Sequence, residues 1–165
     1  MVDDTLTAHH EAAHAVITYR TTGVSPDASL VRDEDSAGHV LHDTSTVNRD
    51  DNREHMMARI LSNYAGGHAQ RRIDPTSRDD GCASDDEMAT RLLWQFEWED
   101  REQELRDRSA ALVDEHWVEI VAVAKELLRV RVLDGTEVET VADIARGDAT
   151  DNDLSLYRAL RDGRL

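Results

Sequence analysis

Five consecutive residues, His10-Glu11-Ala12-Ala13-His14, constrain this chain more than any others. Residues four apart on a helix lie on one face, so the two imidazoles can reach the same ion. Glu11, one residue on from the first of them, points to the side and can reach a metal-bound water without ligating the metal. One helical turn thus offers two ligands and a general base. The competing reading is an amphipathic helix with surface histidines. Leu6, His10, Ala13, His14 and Ile17 decide against it, because they fall at helical spacing on one stripe. Histidines on an apolar stripe need partners for their ring nitrogens, and one metal ion serves both.

The length of 165 residues is that of one domain, spanning 1–165, with a single core. No window approaches the run of apolar residues that a membrane span needs. The start, Met1-Val2-Asp3-Asp4, is charged and polar rather than that of a signal peptide, so a cytoplasmic location is expected. The single cysteine, Cys82, fits a reducing compartment and excludes both an internal disulfide and a multi-cysteine zinc site. The net charge of −16 argues against binding to nucleic acid or to anionic membranes. Among the 19 basic residues only Lys125 is a lysine, and such a bias fits a GC-rich genome or a high-salt surface equally well. The acidity reads as a solvation property.

Along the chain, Asp4 to Thr22 reads as the first helix, closed by Gly23 and Pro26. Two short runs, Ala28–Arg32 and Gly38–His42, read as strands of a small hairpin or meander. A second helix is expected from about Arg49 to Arg72, with Met56, Met57, Ile60, Leu61 and Tyr64 inward. Near its end, Gly66-Gly67 permits close approach of another group. After a loop from Asp74 to Gly81, a third helix begins at Ser84 with a Ser84–Glu87 capping box. Asp85 shares the spacing of Met88, Ala89, Leu92 and Phe96, so it belongs to the inward stripe, whereas Asp86 and Glu87 diverge. A charged stretch, Glu97 to Arg108, precedes a long helix from Ala110 to Val132. A Thr136–Glu139 capping box then leads into Val141–Ala145, and a short helix covers Leu154–Leu160. The fold class is therefore mainly α with a small β-sheet.

A catalytic zinc takes three protein ligands and leaves one position open. Asp85 is the candidate third ligand, since a carboxylate at a helix start is ordinary but one on the inward stripe is not. Three segments resemble the peptidase domain of the FtsH-type ATP-dependent zinc proteases: His10-Glu11-Ala12-Ala13-His14-Ala15-Val16, Gly66-Gly67-His68-Ala69, and Ala83-Ser84-Asp85-Asp86-Glu87-Met88-Ala89-Thr90. That family has H-E-A-G-H-A, then G-G-x-A-x-E, then an Asp five residues before the Thr of an A-T pair. The last position here is Asp85. The resemblance implies a zincin-like helical peptidase domain in which Ala28–Arg32 is the active-site edge strand. Ala13 replaces the family's Gly, Arg71 replaces its Glu, and the chain carries no G-x-x-x-x-G-K-[ST] phosphate loop.

The resemblance implies that His10, His14 and Asp85 bind Zn²⁺ while Glu11 moves the proton of the attacking water. The expected substrate is a peptide or unfolded protein, added as a strand beside Ala28–Arg32 or delivered by a separate ATPase partner. The alternative is a noncatalytic binding or regulatory module that keeps the protease fold. Retention of Glu11 argues against it, because a structural zinc needs no base. No residue is assigned to stabilise an oxyanion; Tyr64 and the other histidines are the candidates. His39, His42, His55, His68 and His116 read more as surface or packing residues, and His9 falls outside the motif because its neighbour at i+4 is Ala13. Cys82 reads as a small residue in a loop rather than a ligand.

Overall fold

The computed structural model describes residues 4–31, 39–40, 51–77 and 82–164. Seven α-helices and one three-stranded sheet occur among these residues. They are α1 (Asp4–Thr22), β1 (Ala28–Ser29), β2 (His39–Val40), α2 (Asp51–Ile73), α3 (Ala83–Gln95), α4 (Glu102–Glu115), α5 (Trp117–Val130), β3 (Val132–Leu133), α6 (Gly135–Arg146) and α7 (Asp151–Arg161). A single 3-10 turn, Glu99–Arg101, joins α3 to α4. No helix among the described residues is long and apolar enough to cross a membrane. The chain is mainly α with a small sheet, as its periodicities require.

Helix α1 is the centre of the fold. Every residue from Thr7 to Thr18 is buried, so the helix is enclosed on all sides rather than along one stripe. The expected stripe is therefore too narrow a description, and Leu6 at its start is only half-buried. Four alanines, Ala8, Ala12, Ala13 and Ala15, keep the helix thin enough for α2, α5 and α6 to pack around it. Its last turn is tied down by Arg20, whose guanidinium donates to Glu119 on α5 at 2.6 Å and to Asp143 on α6 at 2.8 Å. Gly23 then ends the helix with φ +73°, a left-handed conformation suited to glycine.

The sheet departs from expectation in a way that matters for function. Strand order is β2-β1-β3, with Ala28 opposite Val40 on one side and Leu133 on the other. Beyond it, the Leu30 amide donates to the Arg131 carbonyl at 2.8 Å, and the Leu30 carbonyl accepts from the Arg131 side chain. β1 is thus the central strand and not an edge. Among the described residues, the main-chain groups of Ala28 to Leu30 are paired with β2 or with the Arg131–Leu133 segment rather than left as an open edge. The expected strand ends at Arg32, Gly38, Leu41 and His42, and the intervening 33–37, lie outside the described residues, as does the loop 78–81.

Three local expectations are corrected. The long fourth helix is two, α4 and α5, broken at His116 (φ −100°, ψ 18°), while much of the charged stretch is itself helical. The Ser84–Glu87 capping box does not form; Cys82 occupies the N-cap and Glu87 pairs with Arg91 instead. The Thr136–Glu139 box is replaced by one two residues earlier, in which Asp134 accepts from the Glu137 amide at 2.9 Å and Glu137 accepts from the Asp134 amide at 3.1 Å. Gly135 explains the shift. A Cβ there would lie 2.1 Å from the Ser25 carbonyl oxygen, and its amide donates to Asp27.

Candidate metal centre

His10 and His14 project from the middle of α1 toward the first turn of α3, and both are buried. Asp85 Oδ2 lies 2.9 Å from His10 Nε2 and 3.3 Å from His14 Nε2, while the two Nε2 atoms are 2.8 Å apart. The imidazoles meet edge to face, with ring centroids 4.5 Å apart and planes at 79°. One ligand atom from each of the three residues lies within 4.8 Å of the others, so the cluster could hold a metal ion. Met88 does not share this face; it is exposed, and Ala89, Leu92 and Leu93 form the buried side of α3.

The hydrogen bonds around the cluster fit a cation. His14 Nδ1 donates to the Ser62 carbonyl at 2.7 Å, which leaves its Nε2 lone pair directed at His10 and Asp85. His14 Nε2 and Asp85 Oδ2 are then two acceptors facing His10 Nε2. A proton or a metal ion between them satisfies both lone pairs. Burial disfavours the His14 imidazolium, but the hydrogen bond and charge of Asp85, with Glu11 and the Ser62 carbonyl adding to them, raise its pKa to about 9. Burial also opposes ionisation of Asp85, yet the two histidines hold its carboxyl well below the usual carboxylate range. A metal ion entering the site must therefore displace a proton.

Helix α2 covers the imidazoles, and Gly66 is what lets it come so close. A Cβ on Gly66 would lie 2.6 Å from His10 Cε1 and 2.7 Å from His14 Nε2. The next glycine is packed closely too, though with more room, since a Cβ on Gly67 would lie 3.2 Å from Cys82 Sγ. Ser62, one turn before Gly66, fastens the two helices: its hydroxyl donates to the His14 carbonyl at 3.1 Å and accepts from Thr18 at 3.0 Å. Gly66→Ala is expected to force the rings apart and weaken zinc binding more than it lowers the melting temperature of the zinc-free protein. Unchanged affinity in that variant would show that the rings can give way.

Glu11 is 5% exposed, and its charge is felt by His14, but it is not one of the three converging ligands. This is the relation expected of a base beside a metal site. Tyr64 is not part of the site. It sits two residues from Gly66, which places it on the opposite side of α2. There the Arg106 guanidinium covers its ring at 4.0 Å, and burial pushes its hydroxyl up to about 12. His68 shares that far side and contacts Arg71. His9 stacks on Trp117 and bonds to the Thr5 carbonyl; His116 bonds to Glu119. Both are buried packing residues. His55 is half-buried on α2, while the side chains of His39 and His42 lie outside the described residues.

The sequence did not point to Ser62, Gln70 or the position of Cys82. Ser62 and Gln70 stand four residues either side of Gly66, so the face that Gly66 defines would have found both. Neither protein-family profiles nor characterised proteins match the chain.

Proposed function

We propose that the chain is a zinc metallopeptidase domain of the FtsH-peptidase-like kind, acting on peptides or unfolded proteins in the cytoplasm. His10, His14 and Asp85 would hold the zinc. When bound, zinc supplies Lewis acidity, polarising a carbonyl and lowering the pKa of water. Glu11 accepts the proton of the attacking water and returns it to the leaving amine. Bound to zinc, His14 and His10 would ligate through Nε2, held in place by hydrogen bonds at Nδ1. One observation carries the reading: ligand atoms of His10, His14 and Asp85 lie within 4.8 Å of one another, beside the α1 turn that also bears the buried carboxylate Glu11.

A second reading is a noncatalytic binding or regulatory module that keeps the fold, with or without the metal. It draws on the position of β1, whose two edges are paired among the described residues, so no open edge is left for a substrate strand beside Ala28–Leu30. Under the peptidase reading the substrate must bind elsewhere on the site's surface, and a separate ATPase partner would supply unfolded chain. The test is metal content together with cleavage of an unfolded protein. The purified chain should carry about one zinc, and chelator-sensitive cleavage of casein is the expected outcome. Zinc without cleavage would select the second reading in its metal-bound form; no zinc in the folded protein would remove the peptidase and leave only the metal-free module.

The third ligand is tested by two adjacent residues. Asp85 faces both imidazoles, whereas Asp86 turns away and pairs with Arg106 at 3.1 Å in a half-buried contact. Asp85→Asn should lose zinc more readily than Asp86→Asn in competition with a chelator at fixed pH. The Asp86 variant keeps the side chain's shape and should leave zinc affinity unchanged, with a stability cost of about 1 kcal/mol from the weakened Arg106 pair. The reverse order of zinc retention would overturn the ligand assignment.

A further inference from the structure

A histidine ligand is oriented by whatever its second ring nitrogen contacts. For His14 that partner is a backbone carbonyl, which no side-chain substitution removes. His10 differs. Its Nδ1 faces Cys82 Sγ at 3.6 Å, and the thiol in turn donates to Gln70 Oε1 at 3.1 Å. With the S–H proton directed at Gln70, sulfur offers His10 a lone pair, so Nδ1–H donates and Sγ accepts. That arrangement fixes the His10 tautomer and leaves Nε2 free toward His14 and Asp85. Cys82 is 3% exposed and pressed against Gly67, and Gln70 lies on α2 one turn after Gly66.

We propose that Gln70 and Cys82 form an outer relay that positions His10 for metal binding, a role that rests on the metal-site reading above. Cys82 is a positioning residue and not a ligand. It sits on the ring nitrogen facing away from His14 and Asp85, so sulfur and Nε2 do not meet at one ion. The relay spans three elements. Cys82 begins α3, His10 lies in α1, and Gln70 lies in α2, so the same contacts that orient the ring also set the α3 turn that delivers Asp85.

The test is zinc affinity, measured on the full chain by competition with a chromophoric chelator, beside the melting temperature of the zinc-free protein. Cys82→Ala should weaken zinc about 10–100-fold, the usual effect of removing an outer partner. Cys82→Ser should recover part of that loss, because a hydroxyl can still accept from His10 and donate to Gln70. Gln70→Leu keeps the thiol but removes its acceptor, and it too should weaken zinc; it carries the test if Cys82→Ala fails to fold. In each, the loss of affinity should exceed what the change in melting temperature accounts for. Cobalt bound to the unaltered protein should show no thiolate-to-metal charge-transfer band. Wild-type affinity in Cys82→Ala or Gln70→Leu would overturn the relay. A thiolate–cobalt band would overturn it by making Cys82 a ligand. A folded wild-type protein that takes up no zinc at all would instead remove the site itself.

Discussion

His14→Ala is expected to abolish metal binding, taking zinc from about one per chain to none. His14 is the residue on which the other two ligands converge: its Nε2 lies 2.8 Å from His10 and 3.3 Å from Asp85. Two remaining ligands, one of them a carboxylate, do not make a zinc site of useful affinity. The loss should also be visible in stability. Zinc at 100 times its Kd stabilises the protein it binds by about 2.7 kcal/mol. In a chain of this length that raises the melting temperature by about 5–10 °C. Zinc should produce that rise in the unaltered protein and none in His14→Ala. The variant also loses the bond to the Ser62 carbonyl that joins α1 to α2, so its zinc-free melting temperature should fall below that of the parent. Stoichiometric zinc in folded His14→Ala would remove the proposed centre.

How much of this was legible depended on whether the deciding contact was local. The bounds of α1 could be read directly, because a left-handed Gly23 ends the helix and its apolar spacing starts it. Asp85 could be read from phase alone, since 85, 89, 92 and 96 repeat at helical spacing and that phase holds in α3. The break at His116 could not. Leu105, Ser109 and Val113 before it and Ile120, Val123 and Leu127 after it stay in step, so one non-helical residue leaves the apolar pattern intact. The two candidate capping boxes near residue 135 look alike in sequence. The choice between them is made by Ser25 and Asp27, more than a hundred residues away. Strand β3 is two residues long and follows a helix in phase with its own apolar residues, so it has no local signature. Its pairing with β1 is what turned an expected edge strand into a central one. The outer contacts of the metal centre were hidden for the same reason: each joins residues from different helices.

Glu11→Gln is expected to retain zinc and lose hydrolysis. The substitution keeps the shape of a side chain that is 5% exposed, so the packing of α1 should survive. It leaves His10, His14 and Asp85 untouched, so zinc content should stay at about one per chain. What it removes is the basicity of the one buried carboxylate beside the ligand pair, and a positioned general base contributes about 10²–10⁴-fold to rate. Cleavage of casein should therefore fall by about that factor, in kcat rather than KM, because a proton acceptor acts in the transition state more than in binding. The comparison with His14→Ala separates the two roles: one variant loses metal and activity together, the other loses activity with its metal in place. Undiminished cleavage in zinc-loaded Glu11→Gln would leave the site without its base. The carboxylate would then serve only to hold positive charge near His14.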